Sequence, residues 1–471
     1  MRRHPMPEGP DVNRTPLPRR PMAAADHAWL RMDSAQNLVV IHLAFCFRAE
    51  LPLAAVVSQL RERLGCHYQF THCVQRRWWR ARWVPDARFS MTRHLQELRL
   101  PAGSGRPELK AWMSSQAHLP LPADRPLWQA ALVHGVDGGS ALVLRVHHCL
   151  ADGVSLMSLI GGLTDVAEGE LRVPPARAAE RPDLSLGLAL RRGPRLLADT
   201  AHMLFMRRDQ ASKLKGAPGV AKRVAWSEPL SLAMARDLGA RHGATVNDVM
   251  LAVISDVLRR HLQSRGVAQP AAPLRTVVPV NMRPHSQAHL LGNRFGLVGL
   301  ELPVHVDDAL QRLRLVRDGM TTLKGGLQGQ LALALVRCAG VLPARLQTAL
   351  LGIFSRRCTV IVTNVIGPAE PRAVGGVRLD ELMLCVPQGM TVGVGVSIIS
   401  YNGELRIGFL VDEKLMPDCA AAAASVRACF EQLRRAACLQ AGAVAAHSPS
   451  PGVDDGFWSP TLELDREACA Q

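Results

Sequence analysis

Short apolar runs and stretches with helical spacing alternate along most of the chain, and these two periods predict its elements. The run Ala141–Val146, apolar at every position but Arg145, reads as a buried strand. It ends in two adjacent histidines, His147 and His148, with Asp152-Gly153 close behind. Asp137-Gly138-Gly139 predicts a hairpin turn into this strand, and VSLMSLIGGLTDVA predicts a helix after Gly153. Upstream, a short helical opening from Ala23 leads into a strand ending near Leu43, and LPLAAVVSQLRERL gives a helix. A further helix is expected from Glu108 to Ala117, then a loop entering a strand at PLPADRPLWQAALVHG.

The second half repeats the mixture without repeating the sequence. TVNDVMLAVISDVLRRHL predicts a helix that Thr245 or Asn247 can cap. LRTVVPVNMRP predicts a strand and a turn, 308–354 a mostly helical stretch, and CTVIVTNVIGP a strand. Residues 382–399 read as two buried strands, because Pro387, Gln388 and several glycines break the run. SYNGELRIGFLVD adds strand, and a last helix covers about 417–438. The fold class expected is α/β or α+β in two lobes of similar size. Residues 1–20 are expected to be a disordered tail, 21–170 an N-terminal lobe and 171–225 a basic crossover linker. A C-terminal lobe then spans 226–440, followed by a disordered tail at 441–471.

At 471 residues and 48% hydrophobic content, the chain has enough apolar surface for two substantial cores. The 56 Lys and Arg against 40 Asp and Glu give a formal charge of +16, which favours a polyanion, an anionic membrane or a phosphorylated substrate. Arg76, Arg77, Arg80 and Arg82 interleave with Trp78, Trp79 and Trp83. Stacking plus charge suits single-stranded nucleic acid, but an edge strand with a solvated basic face is the simpler reading. No nucleic-acid partner is expected. Within the crossover, apolar residues at 196–206 sit among Arg191, Arg192, Arg195, Arg207 and Arg208. That composition fits either a helix lying on a membrane or one packed on the protein.

The 11 cysteines show no paired spacing, so they read as reduced core residues of a cytoplasmic protein. The basic, proline-rich N-terminus lacks the apolar core of a signal peptide, and no apolar run is long enough to span a bilayer.

Four chemistries compete for His147, His148 and Asp152. A neutral imidazole can take a proton from a hydroxyl attacking an activated acyl group. A metal site is disfavoured, because adjacent histidines on a strand point to opposite faces, and no metal is expected. Cys149 as an acyl-accepting thiolate lacks any activating neighbour pattern. The last reading is purely structural, two satisfied histidines and an Asp-Gly turn. Asp152 is better placed to order the loop, by hydrogen bonding or by pairing with an arginine, than to relay charge.

The stretch His147–Gly153 (HHCLADG) resembles the HHxxxDG motif of the CoA-dependent acyltransferase superfamily. Pro126-Leu127-Trp128 is similar to the PLW motif, and Asn247-Asp248 to the ND motif, of its bacterial wax ester synthase/diacylglycerol acyltransferase branch. Ala25–Asp33, Gly292-Asn293, Leu302-Pro303, Thr363–Pro368, Ser400–Gly403 and Pro417-Asp418 resemble further stretches of that branch, in order. NLVVIHL (Asn37–Leu43) stands where the family usually has Pro-Met-His. The resemblance spans about 23–438. It implies a two-lobed fold with an interlobe tunnel and acyl transfer from a long-chain acyl-CoA to diacylglycerol or a long-chain alcohol. It implies no cofactor beyond the acyl-CoA co-substrate. His148 would be the general base, with His147 and Asp152 supporting, Gly153 in the turn, and Asn247 and Asp248 acting through structure. The PLW motif would lie near the acyl pocket. Peripheral attachment to the inner membrane or to lipid inclusions is expected, with arginines free to bind CoA phosphates. Two alternatives stay open: a superfamily acyltransferase for a smaller polar alcohol or amine, and a non-catalytic lipid-binding homologue.

Overall fold

Two sheets carry the fold, and the apolar runs form their central strands. The computed structural model describes residues 19–77, 80–167, 212–283, 290–324 and 328–447. Most of the expected crossover, both expected tails except their inner ends, Trp78, Trp79 and Pro284 lie outside these residues.

The first sheet has five strands in the order Glu381–Cys385, Val40–Phe47, Gly139–His147, Trp128–Val136, Leu95–Arg99. Val40–Phe47 and Gly139–His147 are buried at every position. A central strand covered on both faces needs a continuous apolar run rather than alternation. The second sheet has seven strands. Its main path is Leu230–Ser231, Glu404–Asp412, Val394–Tyr401, Val360–Ile366, Leu274–Asn281, Phe295–Leu302, with Lys222–Trp226 also paired to Glu404–Asp412. Helices Val246–Ser264, Ala309–Lys324 and Cys419–His447 pack on one another and on this sheet.

The break at 382–399 does separate two strands, but they belong to different sheets. Glu381–Cys385 crosses over to pair antiparallel with Val40–Phe47, while Val394–Tyr401 stays in the second sheet. The edge of Val40–Phe47 would otherwise leave unpaired backbone groups in the core. The lobe expected at 226–440 therefore lends one strand to its neighbour, and its sheet already begins at Lys222. The C-terminal helix runs to His447, so the tail expected from 441 starts as helix.

Val360–Ile366 runs parallel to Val394–Tyr401 along its whole length. Against Leu274–Asn281 it pairs only at Thr276↔Val360 and Val277↔Ile361, and then the two strands part. The gap opens towards the histidine-bearing end of the first sheet. The Arg- and Trp-rich run forms an antiparallel hairpin, His72–Arg77 with Arg80–Pro85, its arginines exposed and Trp83 buried.

Candidate active site between the lobes

His147 is the last residue of its strand, and His148 is the first beyond it. The His148 backbone N–H still donates to the Val39 carbonyl at 2.9 Å, which fixes the ring at the sheet's end. The two imidazoles then part, as strand alternation requires. His147 is buried and its Nε2 lies 3.0 Å from Asp33 Oδ2. Its Nδ1 accepts from the Cys149 N–H at 3.1 Å, so Nε2 is the donor. His148 faces the other way, stacked on Trp29 with centroids 4.4 Å apart and flanked by Phe295 at 5.6 Å.

His148 lines a cavity with about 1250 Å³ of empty space, its open mouth included. The first lobe contributes Trp29, Met32, Ile41 and Gly153, and the second Val277, Phe295, Ile361 and Thr363. Val277 and Ile361 stand where the two parallel strands part, so that divergence makes the room. Burial in this apolar setting pushes the His148 pKa down to about 4, against partial opposition from a hydrogen bond to its own backbone, from Asp152 and from Asn293. The imidazole is neutral at neutral pH, the form a general base requires.

Asp152 is the N-cap of helix Gly153–Leu163. Its Oδ1 accepts from the Ser155 N–H at 2.9 Å and the Ser155 hydroxyl at 2.8 Å. Its Oδ2 accepts from Arg283 Nη2 at 3.0 Å and the Arg294 N–H at 2.9 Å. Arg283 also donates to the Gly292 carbonyl at 2.6 Å, tying the second lobe to the motif. Gly153 opens the helix rather than forming a turn, and a Cβ there would sit 3.2 Å from Val365 Cγ2.

The other expected site residues are scattered. Trp128 is fully buried, donates Nε1–H to the Phe70 carbonyl at 2.9 Å and stacks on His94. The Leu127 carbonyl accepts from the His147 N–H at 3.0 Å. Pro126, Leu127 and Trp128 are not in the cavity wall, so the PLW stretch braces the histidine strand from its far neighbour. Asp248 closes a capping box with Thr245, which is the N-cap of helix Val246–Ser264. Asn247 accepts from Asn364 Nδ2 at 2.9 Å, and Asn364 lines the cavity. Cys149 is buried, and burial pushes its thiol well above the ordinary value, so a thiolate nucleophile is disfavoured there.

Residue-by-residue reading missed Asp26, Asn293 and Arg283. His148 Nδ1 lies 2.9 Å from Asn293 Oδ1, and Asn293 is held in turn by Asp26. Gly292 makes this approach possible, since its φ of +106° lies in the left-handed region. Asp26 and Gly292-Asn293 fall in stretches that resemble the family, and Arg283 is the partner where Asp152 was expected to pair with an arginine.

A two-lobed α/β fold with HHxxxDG opening on an interlobe cavity defines a CoA-acyltransferase-type enzyme. Two family models match the chain. The wax ester synthase/diacylglycerol acyltransferase catalytic domain covers 22–224, and the WS/DGAT C-terminal domain covers 291–434. The chain belongs to the wax ester synthase/diacylglycerol acyltransferase family and is an acyltransferase. It is 29% identical over 363 residues to a Mycobacterium tuberculosis protein named as a diacylglycerol O-acyltransferase, covering 72% of this chain and 78% of that one. A second such protein from the same organism is 28% identical over 464 residues, covering 84% and 87%. Among solved structures, the wax ester synthase/diacylglycerol acyltransferase from Marinobacter aquaeolei superposes with a TM-score of 0.67 at 22% identity, covering 90% of this chain and all 100% of that one. The first condensation domain of the CDA synthetase has the same fold, with a TM-score of 0.56 at 20% identity over 89% and 97% of the chains.

Proposed function

We propose that the protein transfers a long-chain acyl group from acyl-CoA to the hydroxyl of diacylglycerol or a long-chain alcohol, with His148 as general base. One observation carries this reading: a neutral imidazole, engaged through Nδ1, stands on the wall of an apolar interlobe cavity. Nε2 takes the hydroxyl proton as the oxygen attacks the thioester carbonyl carbon. The C–S bond then breaks, and Nε2–H returns the proton to the departing CoA thiolate. No covalent enzyme intermediate and no cofactor beyond the co-substrate are needed. His147 holds the loop through Asp33, and Asp152 and Gly153 set the helix start behind it. Asp248 serves through the capping box of its helix, and Asn247 through its hydrogen bond to Asn364 on the wall strand.

The test is CoA release from palmitoyl-CoA by wild type and His148→Ala. The acceptors are hexadecanol, dipalmitoylglycerol, a small polar alcohol and none. General-base loss should lower turnover by roughly 10²–10⁴-fold. Near-normal turnover in folded His148→Ala overturns the base assignment. Release only with the polar alcohol moves the protein to another branch of the superfamily, and no release despite acyl-CoA binding favours a lipid-binding homologue.

Peripheral association with an anionic lipid surface is part of the same reading. Its support lies in helices Gln328–Val341 and Ala344–Ser355, which contribute Val336 and Leu351 to the cavity wall. On their outer side Val341, Leu346 and Ile353 are 65%, 55% and 46% exposed. From Gly319 to Ala369 the sequence has no Asp or Glu, while Arg337, Arg345 and Arg356 are exposed. A lipid surface fits an apolar, purely basic rim beside a lipid cavity. The crossover helix first expected to dock lies outside the described residues.

A further inference from the structure

We propose that Asn293 and Asp26 are positioning residues that keep the His148 proton on Nδ1 and so leave the Nε2 lone pair free for the acceptor hydroxyl. This deepens the reading of His148 as general base and rests on it.

The donors and acceptors around the ring fix its tautomer. Asn293 Nδ2 sits 2.8 Å from Asp26 Oδ1 and 2.8 Å from the His148 carbonyl oxygen. A carboxylate and a carbonyl only accept, so the group between them must be the amide NH₂. The amide oxygen is then the atom 2.9 Å from His148 Nδ1. An amide oxygen also only accepts, so Nδ1 must carry the proton. A flipped amide would set its oxygen against two acceptors, Asp26 Oδ1 and the His148 carbonyl. The other ring tautomer would place two lone pairs face to face and put the proton on Nε2, where the base must be empty.

Asp26 makes the amide's orientation single-valued. Its Oδ1 accepts from the Asn293 N–H at 2.9 Å as well as from Nδ2, holding the residue at both backbone and side chain. Asp26 is buried, and burial raises its pKa to about 6. Between its ordinary value of 3.8 and about 6, the folded protein keeps a proton that the unfolded chain releases. Its contribution to stability therefore falls as pH rises through that window. A core aspartate whose ionisation works against folding marks a place where electrostatics serves the site. The same geometry helps after proton transfer, because the Nδ1–H···Oδ1 bond strengthens as the ring becomes an imidazolium.

The experiment reads the tautomer directly. Imidazole ¹⁵N shifts are recorded on the full chain, the His148 signals being assigned by their loss in His148→Ala. Wild type should show Nδ1–H. Asn293→Ala should populate the Nε2–H form and lower kcat by roughly 10²–10⁴-fold, with the KM for palmitoyl-CoA within about threefold of wild type. Asp26→Asn keeps an acceptor at Oδ1, so the tautomer and most of kcat should survive, whereas Asp26→Ala should lose part of both. Wild type showing Nε2–H overturns the proposal without any variant having to fold. So does Asn293→Ala with an unchanged tautomer or an unchanged kcat. His148→Ala that still turns over would sink the base assignment instead, and the wild-type tautomer would stand as measured.

Discussion

The Asp152 carboxylate accepts four hydrogen bonds, two from its own helix and two from the opposite lobe. With Arg283 it forms a pair whose side chains are 3% and 1% exposed, so removing either partner strands a charge in the core. Arg283→Met should therefore lower stability by about 3–5 kcal/mol in chemical denaturation. A loss below about 1 kcal/mol would show that the pair does not hold the lobes together. At this scale the sequence is half legible. His147, His148 and Asp152 stand within six residues of one another, so a motif displays them together. Their partners do not: Arg283 is 131 positions from Asp152, Asn293 is 145 from His148, and Asp26 is 267 from Asn293. A lone Asp in a short helix and an Asn after a Gly carry no local sign of chemistry.

Helix Gln328–Val341 lies against the short helix Ala24–Leu30 that carries Asp26 and Trp29. His27 Nδ1 lies 2.9 Å from the Gly340 carbonyl, and Arg31 donates to the carbonyls of Ala339 at 2.9 Å and Leu342 at 2.8 Å. A Cβ at Gly340 would come within 1.8 Å of the Ala24 carbonyl oxygen, so the two backbones touch. Gly340→Val should push the short helix away and tilt Trp29 off the His148 ring. The expected cost is about 1–3 kcal/mol of overpacking, seen as a lower Tm, together with reduced kcat. Unchanged Tm and turnover would show that the contact is dispensable. Element type was readable because hydrophobic period distinguishes strand from helix. Element destination was not. The run at 382–399 shows two strands, but nothing local says that the first joins the other lobe. PLW likewise looks like a pocket motif until Trp128 is seen stacked on His94 behind the sheet.

The whole molecule joins a +16 formal charge to an acid-free helical rim beside its apolar cavity. Long-range attraction to anionic headgroups and burial of Val341, Leu346 and Ile353 should act together. Flotation with phosphatidylcholine vesicles containing phosphatidylglycerol should capture the wild-type protein, less so as salt rises. Leu346→Asp combined with Ile353→Asp should weaken capture by about tenfold or more without changing turnover of a soluble short-chain acceptor. Equal capture of the double variant, or no dependence on salt, would remove helices Gln328–Val341 and Ala344–Ser355 as the docking element.

What the sequence determined by itself was the alternation of strands and helices, two lobes, the motif histidines and, through several ordered stretches, the family. These follow from period and spacing, which are properties of neighbours along the chain. The tertiary structure alone decided that parallel strands part beyond Val277 and Ile361 to open the cavity. It also sent Glu381–Cys385 into the other lobe and brought Asp26 and Asn293 to bear on one ring nitrogen. Those outcomes depend on which backbone edges and buried polar groups remained to be satisfied once the lobes met, and no local pattern records them.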